Sequence, residues 1–150
     1  MFVSQKCHYA LRALFELARR HGRGPVKNSE IAEAQVIPVR FLEVILSQLK
    51  RGGFVVSKRG STGGYVLVEA PDKLTVGSVM RFIQGPVESS PRPEDGARPD
   101  ETIAGSAAFS NMWEGVRQAV STVLDATTFQ ELLEEDLRLR EKPFVPSYTI

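Results

Sequence analysis

Cysteine is almost absent from this chain: Cys7 is the one thiol among 150 residues. A single cysteine excludes an internal disulfide framework and agrees with a reducing compartment, so a cytoplasmic protein is expected. Histidine is nearly as scarce, with only His8 and His21. Cys7, His8 and His21 fall in or beside one predicted helix, and the adjacent Cys7 and His8 point in different directions, so no zinc site is expected. No apolar run approaches the length of a membrane-crossing helix. The opening Met-Phe-Val-Ser-Gln-Lys lacks the apolar stretch and small-residue cleavage site of a signal peptide. There is no internal repeat. No catalytic constellation stands out either, since Ser4 with His8 and some carboxylate is a list without a geometry. The expectation is therefore a non-enzymatic protein with no membrane role, no metal and no cofactor.

The chain is long enough to bury a real core as one domain or one domain with an appendage. Its formal net charge of +1 hides an asymmetry. Residues 1–81 carry 13 Lys or Arg against 6 Asp or Glu, a balance of +7, and residues 82–150 carry 6 against 12, a balance of −6. A basic first half is what neutralising a phosphate backbone requires, and the acidic second half confines that contact to the first.

The most informative stretch runs from Val39 to Val68. Phe41, Leu42, Ile45, Leu46 and Leu49 recur at the spacing of one buried helix face, and Arg40, Glu43 and Ser47 share the polar front. Pro38 suits a first-turn position and Gly52-Gly53 a stop. Residues 54–58 and 65–68 read as two strands around Arg59-Gly60-Ser61-Thr62-Gly63-Gly64. Ahead of this, Ser4 caps a helix running to about His21, with Tyr9, Ala10, Ala13, Leu14, Leu17 and Ala18 inward. Gly22-Arg23-Gly24-Pro25 forms a turn, and Asn28 caps a short helix carrying Ile31 and Ala32. A short helix joined tightly to a polar-fronted one, then a basic hairpin, is the pattern of a winged helix-turn-helix.

Beyond the hairpin, Thr75 caps a helix with Val76, Val79, Met80 and Ile83 inward, stopped by Gly85-Pro86. Residues 88–101 change to a Ser, Pro, Glu, Asp, Arg and Gly composition that reads as a loop or disordered linker. A long helix over about 105–125 follows, with Phe109, Met112, Trp113, Val116, Ala119, Val120, Val123 and Leu124 on its apolar row. The residues after the linker are too few to hide that row, so part of it is expected to pack on a second subunit. Thr128 with Glu131 reads as a capping box for a last helix with Leu132, Leu133 and Leu137 inward. The expected organisation is a mainly α fold with a small β-hairpin wing. Its parts are a winged helix-turn-helix over 1–84, a variable loop over 85–104, and a dimerisation helix with a C-terminal helix over 105–150.

On this reading Arg40 donates to guanine and Glu43 accepts from cytosine or pairs with Arg40. Ser4, Lys6, Ser47 and Lys50 position the helix on phosphates. At the wing, Lys58 and Arg59 approach the backbone or a narrow minor groove. Ser61 and Thr62 cross the turn, while Gly60, Gly63 and Gly64 permit positive φ and close approach to phosphate. The dimer contacts are Phe109, Met112, Trp113, Val116, Val120, Val123 and Leu124. Cys7 is either an ordinary residue at the helix surface or a redox-sensitive thiol tuned by His8. Glu134, Glu135 and Asp136 are a solvated face. A winged helix that binds another protein through its polar front is the competing class.

These pieces together resemble one family, the IscR, NsrR and CymR group of bacterial winged-helix regulators (the Rrf-type repressors). The resemblance rests on Tyr9-Ala10-Leu11, on Phe41-Leu42-Glu43 with Leu49, and on the wing from Arg59 through Gly64 to Tyr65-Val66-Leu67. Leu74-Thr75-Val76-Gly77 and Trp113 extend it over nearly the whole chain, with 88–107 divergent. It implies a homodimer, held by crossed long helices, that represses transcription from inverted-repeat operators in double-stranded DNA. Many members hold an iron–sulfur cluster through three loop cysteines. Here the loop from Pro91 to Glu101 has none, and Ser110 stands near the position where some relatives place a histidine ligand. The chain thus resembles the cluster-less branch, whose members respond to partner proteins, small metabolites or thiol oxidation.

Overall fold

The computed structural model describes residues 3–86 and 102–142. The expected loop over 88–101 and the tail after residue 142 lie outside the described residues. Six helices and one hairpin follow in the order α1 Gln5–Arg19, α2 Asn28–Gln35, α3 Val39–Arg51, β1 Val55–Lys58, β2 Gly64–Leu67, α4 Val76–Gln84, α5 Ser106–Ala126 and α6 Phe129–Glu141. The fold is mainly helical with a two-stranded wing, as the sequence predicts.

α1 begins where the Ser4 hydroxyl accepts the Cys7 backbone N–H at 3.1 Å, leaving one fewer unpaired donor at the helix start. It ends at Arg19, two residues earlier than expected. Its inner face holds Cys7, Ala10, Ala13, Leu14, Leu17 and Ala18, together with a buried Glu16. Tyr9 is only half-buried. α2 starts one residue before the expected cap relation: Lys27 is the N-cap, and the Glu30 carboxylate accepts its backbone N–H at 2.9 Å. The α2–α3 turn passes through Val36 in the left-handed region (φ 51°, ψ 54°). The Ile37 N–H closes the turn onto the Ala32 carbonyl at 2.9 Å, a Schellman geometry normally given to glycine. Pro38 stands at the N-cap of α3 rather than inside its first turn.

The wing strands pair antiparallel with Val55 opposite Leu67 and Lys58 opposite Gly64, one residue offset from the expected strand bounds. A third strand contact is not visible in sequence. Val26, just after the Gly22–Pro25 turn, exchanges backbone hydrogen bonds with Tyr65 at 2.9 and 2.8 Å. Gly64 lies against the Val26 carbonyl at φ +147°, where any side chain would collide with that backbone.

Leu42, Ile45, Leu46 and Leu49 of α3 join Ile31, Val55, Leu74, Val79, Met80 and the α1 residues in one core. Each large side chain sealed there contributes roughly 1.5–3 kcal/mol. Phe41 departs from the expected buried set and is 63% exposed. Phe129 of α6 is buried in this same core, so the chain from α5 into α6 returns to the head. The return is fixed by backbone: Val76 N–H donates to Thr127 O at 2.9 Å and Phe129 N–H to Leu74 O at 3.0 Å. The Thr128–Glu131 capping box forms as expected. Leu132 and Leu133 are half-buried, whereas Leu137, expected inward, is exposed. No residue of the 21 in α5 is buried.

Candidate nucleic-acid interface

At roughly 100° per residue, the front of α3 can be located from its buried back. Opposite Leu42, Ile45, Leu46 and Leu49 lie Arg40, Val44, Ser47 and Arg51, all exposed. Two of these, Val44 and Arg51, carry no sequence signal of their own. Glu43 and Phe41 occupy the flanks. On one side the Glu43 carboxylate accepts from Asn28 Nδ2 of α2 at 3.4 Å, and Asn28 rather than Arg40 is its partner. On the other side the Phe41 ring meets Tyr9 of α1 with centroids 6.5 Å apart. Gln5, Lys6, Tyr9, Phe41, Val44 and Ile45 line a mostly apolar groove of about 380 Å³ there. Lys6 is exposed at its rim.

The far end of α3 is tied to the wing. Lys50 Nζ donates to Ser57 Oγ at 2.8 Å, linking the last helical turn to β1. Lys58, Arg59, Gly60, Ser61 and Thr62 are exposed at the wing tip. Gly63 is not: it is buried in the turn, its N–H donates to Gly60 O at 3.0 Å, and its φ is not positive. Gly60 and Gly64 carry the positive φ values instead. Gly63 therefore shapes the turn and has no free donor for a phosphate. Ser4 is likewise engaged. Besides capping α1, its backbone N–H and hydroxyl donate to Gln84 Oε1 at 3.2 and 3.4 Å, which ties α1 to α4.

The angle between α1 and α2 is fixed by Glu16, whose side chain is sealed from solvent. It accepts from Arg19 at 2.6 Å, Arg20 at 2.7 Å and Gln35 of α2 at 3.3 Å. Burial pushes its carboxyl up, but the hydrogen bonds from Arg19, Arg20 and Gln35 and the Arg19 charge outweigh that, leaving it below the usual glutamate range. Arg20 also reaches Glu30 at 3.7 Å.

Cys7 is not at the helix surface. It is 0% exposed in the core, and burial pushes its thiol up, away from the reactive thiolate. His8 and His21 are exposed. Among the described residues no three His, Cys, Asp or Glu side chains converge, and no helix is long and apolar enough to cross a membrane.

A polar-fronted helix on a short helix-turn-helix, flanked by a cationic two-stranded wing, defines a winged-helix transcriptional regulator of the DNA-binding class. The chain belongs to the Rrf2 family, whose model, described as an iron-dependent transcriptional regulator, matches residues 3–135. It is 36% identical over 132 residues to the HTH-type transcriptional regulator CymR of Bacillus subtilis, covering 88% of this chain and 89% of that one. The solved structure of that protein, described as the global cysteine regulator of B. subtilis, superposes with a TM-score of 0.78 over 90% of this chain and 98% of that one. The T. potens IscR structure superposes with a TM-score of 0.73 at 30% identity, covering 99% and 97%. These relatives are transcriptional regulators, not enzymes. The family description names iron, but the donors here do not fit a thiolate-held iron–sulfur cluster. The sequence has one cysteine and the core encloses it.

Proposed function

We propose that the chain is a homodimeric repressor that binds an inverted-repeat operator in double-stranded DNA without an iron–sulfur cluster. The observation that carries the dimer is the uncovered apolar row of α5. Phe109, Met112, Trp113, Val116 and Val123 are exposed, and Val120 and Leu124 are only half-covered by the rest of the chain. Covering such a row on a second copy removes apolar area from water at about 25 cal/mol per Å², and a twofold arrangement of the row would present two α3 fronts together.

Arg40 and Glu43 read bases, with Glu43 held in place by Asn28. Lys6, Ser47, Lys50, Lys58 and Arg59, with the Gly60–Thr62 tip, engage phosphate. Two heads placed about one helical turn apart, or a small multiple of it, then read the half-sites. A small-molecule or protein effector acting at the 88–107 stretch or at α5 would alter the placement of the heads. The exposed Phe41 ring favours a competing reading, a head that docks on a protein.

Selection of the full-length protein against random duplexes at two salt concentrations tests the proposal. Enrichment of an inverted repeat, with affinity falling steeply with salt through counterion release, is expected. A folded dimer that enriches no duplex at either salt concentration would favour the protein-docking reading. On the enriched duplex, Arg40→Ala is expected to relax preference at one base pair per half-site by about 1–3 kcal/mol. Lys58→Ala should weaken operator and random duplex alike. Equal losses on both duplexes for Arg40→Ala would remove it from base reading.

A further inference from the structure

Of the four exposed residues on the α3 front, one has a side chain that can neither donate nor accept a hydrogen bond. Val44 is 63% exposed, one turn after Arg40 and one turn before Ser47. By helical geometry it lies within about 30° of the point opposite the buried face. Glu43 sits farther round, towards α2, where Asn28 holds it. Arg40 and Arg51 lie nearer the point opposite the buried face, and Val44 is the one aliphatic side chain among the four exposed residues of this front. Among the base edges of that groove, the one apolar feature is the C5-methyl of thymine. The long Arg40 side chain on one side and Ser47 on the other are suited to polar contacts, so the valine defines a small apolar window between them.

We infer that Val44 is a specificity-determining residue that packs on a thymine methyl in each half-site. The inference rests on the DNA-binding reading above. Its chemical consequence is narrow: the operator carries a thymine whose C5-methyl, rather than its hydrogen-bonding edge, is recognised. Val44 sustains no core contact that its truncation would empty, because the buried face of α3 is supplied by Leu42, Ile45, Leu46 and Leu49.

The probe is the duplex enriched from the random pool, with each thymine replaced in turn by deoxyuracil, which deletes the methyl and keeps the base pair. One position per half-site is expected to weaken wild-type binding about fourfold, or about sixteenfold when both half-sites are changed, the effect of losing one buried methyl. Val44→Ala should bind the thymine and uracil duplexes alike while melting as the wild type does. The Val44→Thr and Val44→Ser pair, which differ by one methyl, repeats the comparison with Thr expected to keep the preference for thymine. An enriched operator indifferent to every uracil replacement overturns the inference alone, as does a thymine preference undiminished in Val44→Ala and Val44→Ser. A pool that yields no enriched duplex overturns the DNA-binding reading and this inference with it.

Discussion

Two buried polar side chains in α1 have opposite chemical fates. Glu16 is kept ionised by the guanidinium groups of Arg19 and Arg20. Because its folded carboxyl lies below its unfolded value, the stability it contributes is full above the ordinary glutamate range of about 4.3 and is lost as pH falls through the lower folded value. Glu16→Gln is expected to cost about 2 kcal/mol at neutral pH, less than the roughly 3–5 kcal/mol of a fully buried pair because both arginines reach water. Urea titrations at pH 7 and below pH 4 should show the difference from wild type shrinking with acid, and a constant difference would refute the linkage. Cys7 behaves in the reverse sense. Its thiol, raised by burial, is neutral and enclosed, so Ellman's reagent at neutral pH should label the native protein only as fast as it unfolds. Fast stoichiometric labelling, or peroxide changing DNA affinity, would restore a sensing role.

At the scale of elements, caps and periodicity made much of the fold legible. Ser4, Thr75 and Thr128 each cap the helix predicted from them, and the four leucine and isoleucine positions of α3 are buried as their spacing requires. The position of Phe41 on the helical wheel borders both faces, and only the location of α1 decides which it joins. Composition does not distinguish Gly63 from its neighbours, whereas the turn buries it. The Val26–Tyr65 pairing involves a single bridge residue, too short for any alternation to mark it. The same limitation hid Val44, since exposure on the front of α3 is a property of the packed helix. The pairing also gives Gly64 a second function beyond its turn. Gly64→Ala must displace the Val26 carbonyl and adopt positive φ, so a loss of about 2 kcal/mol or more is expected. Thermal melts should show it, together with loss of affinity on all duplexes; a variant as stable as wild type would mean that Val26 can withdraw freely.

For the whole molecule, the exposed row of α5 separates the stability of the chain from its assembly. Val116→Asp lies on that exposed row, so it should leave the head folded while shifting sedimentation from dimer to monomer. With half the contacts to a palindrome lost at once, affinity for the inverted repeat should fall by at least about a hundredfold, the avidity of linked sites. An unchanged sedimentation coefficient would place the partner surface elsewhere.

The backbone clip that joins Leu74 and Val76 to Thr127 and Phe129 has a consequence for operator grammar. In the proposed dimer it would tie each α3 to its own α5–α6 segment, so the spacing between half-sites is expected to matter. Each base pair inserted at the centre of an inverted repeat turns one half by about 34° about the duplex axis, and the affinity of the proposed dimer is expected to fall with it. Spacing, as much as letters, becomes part of the address.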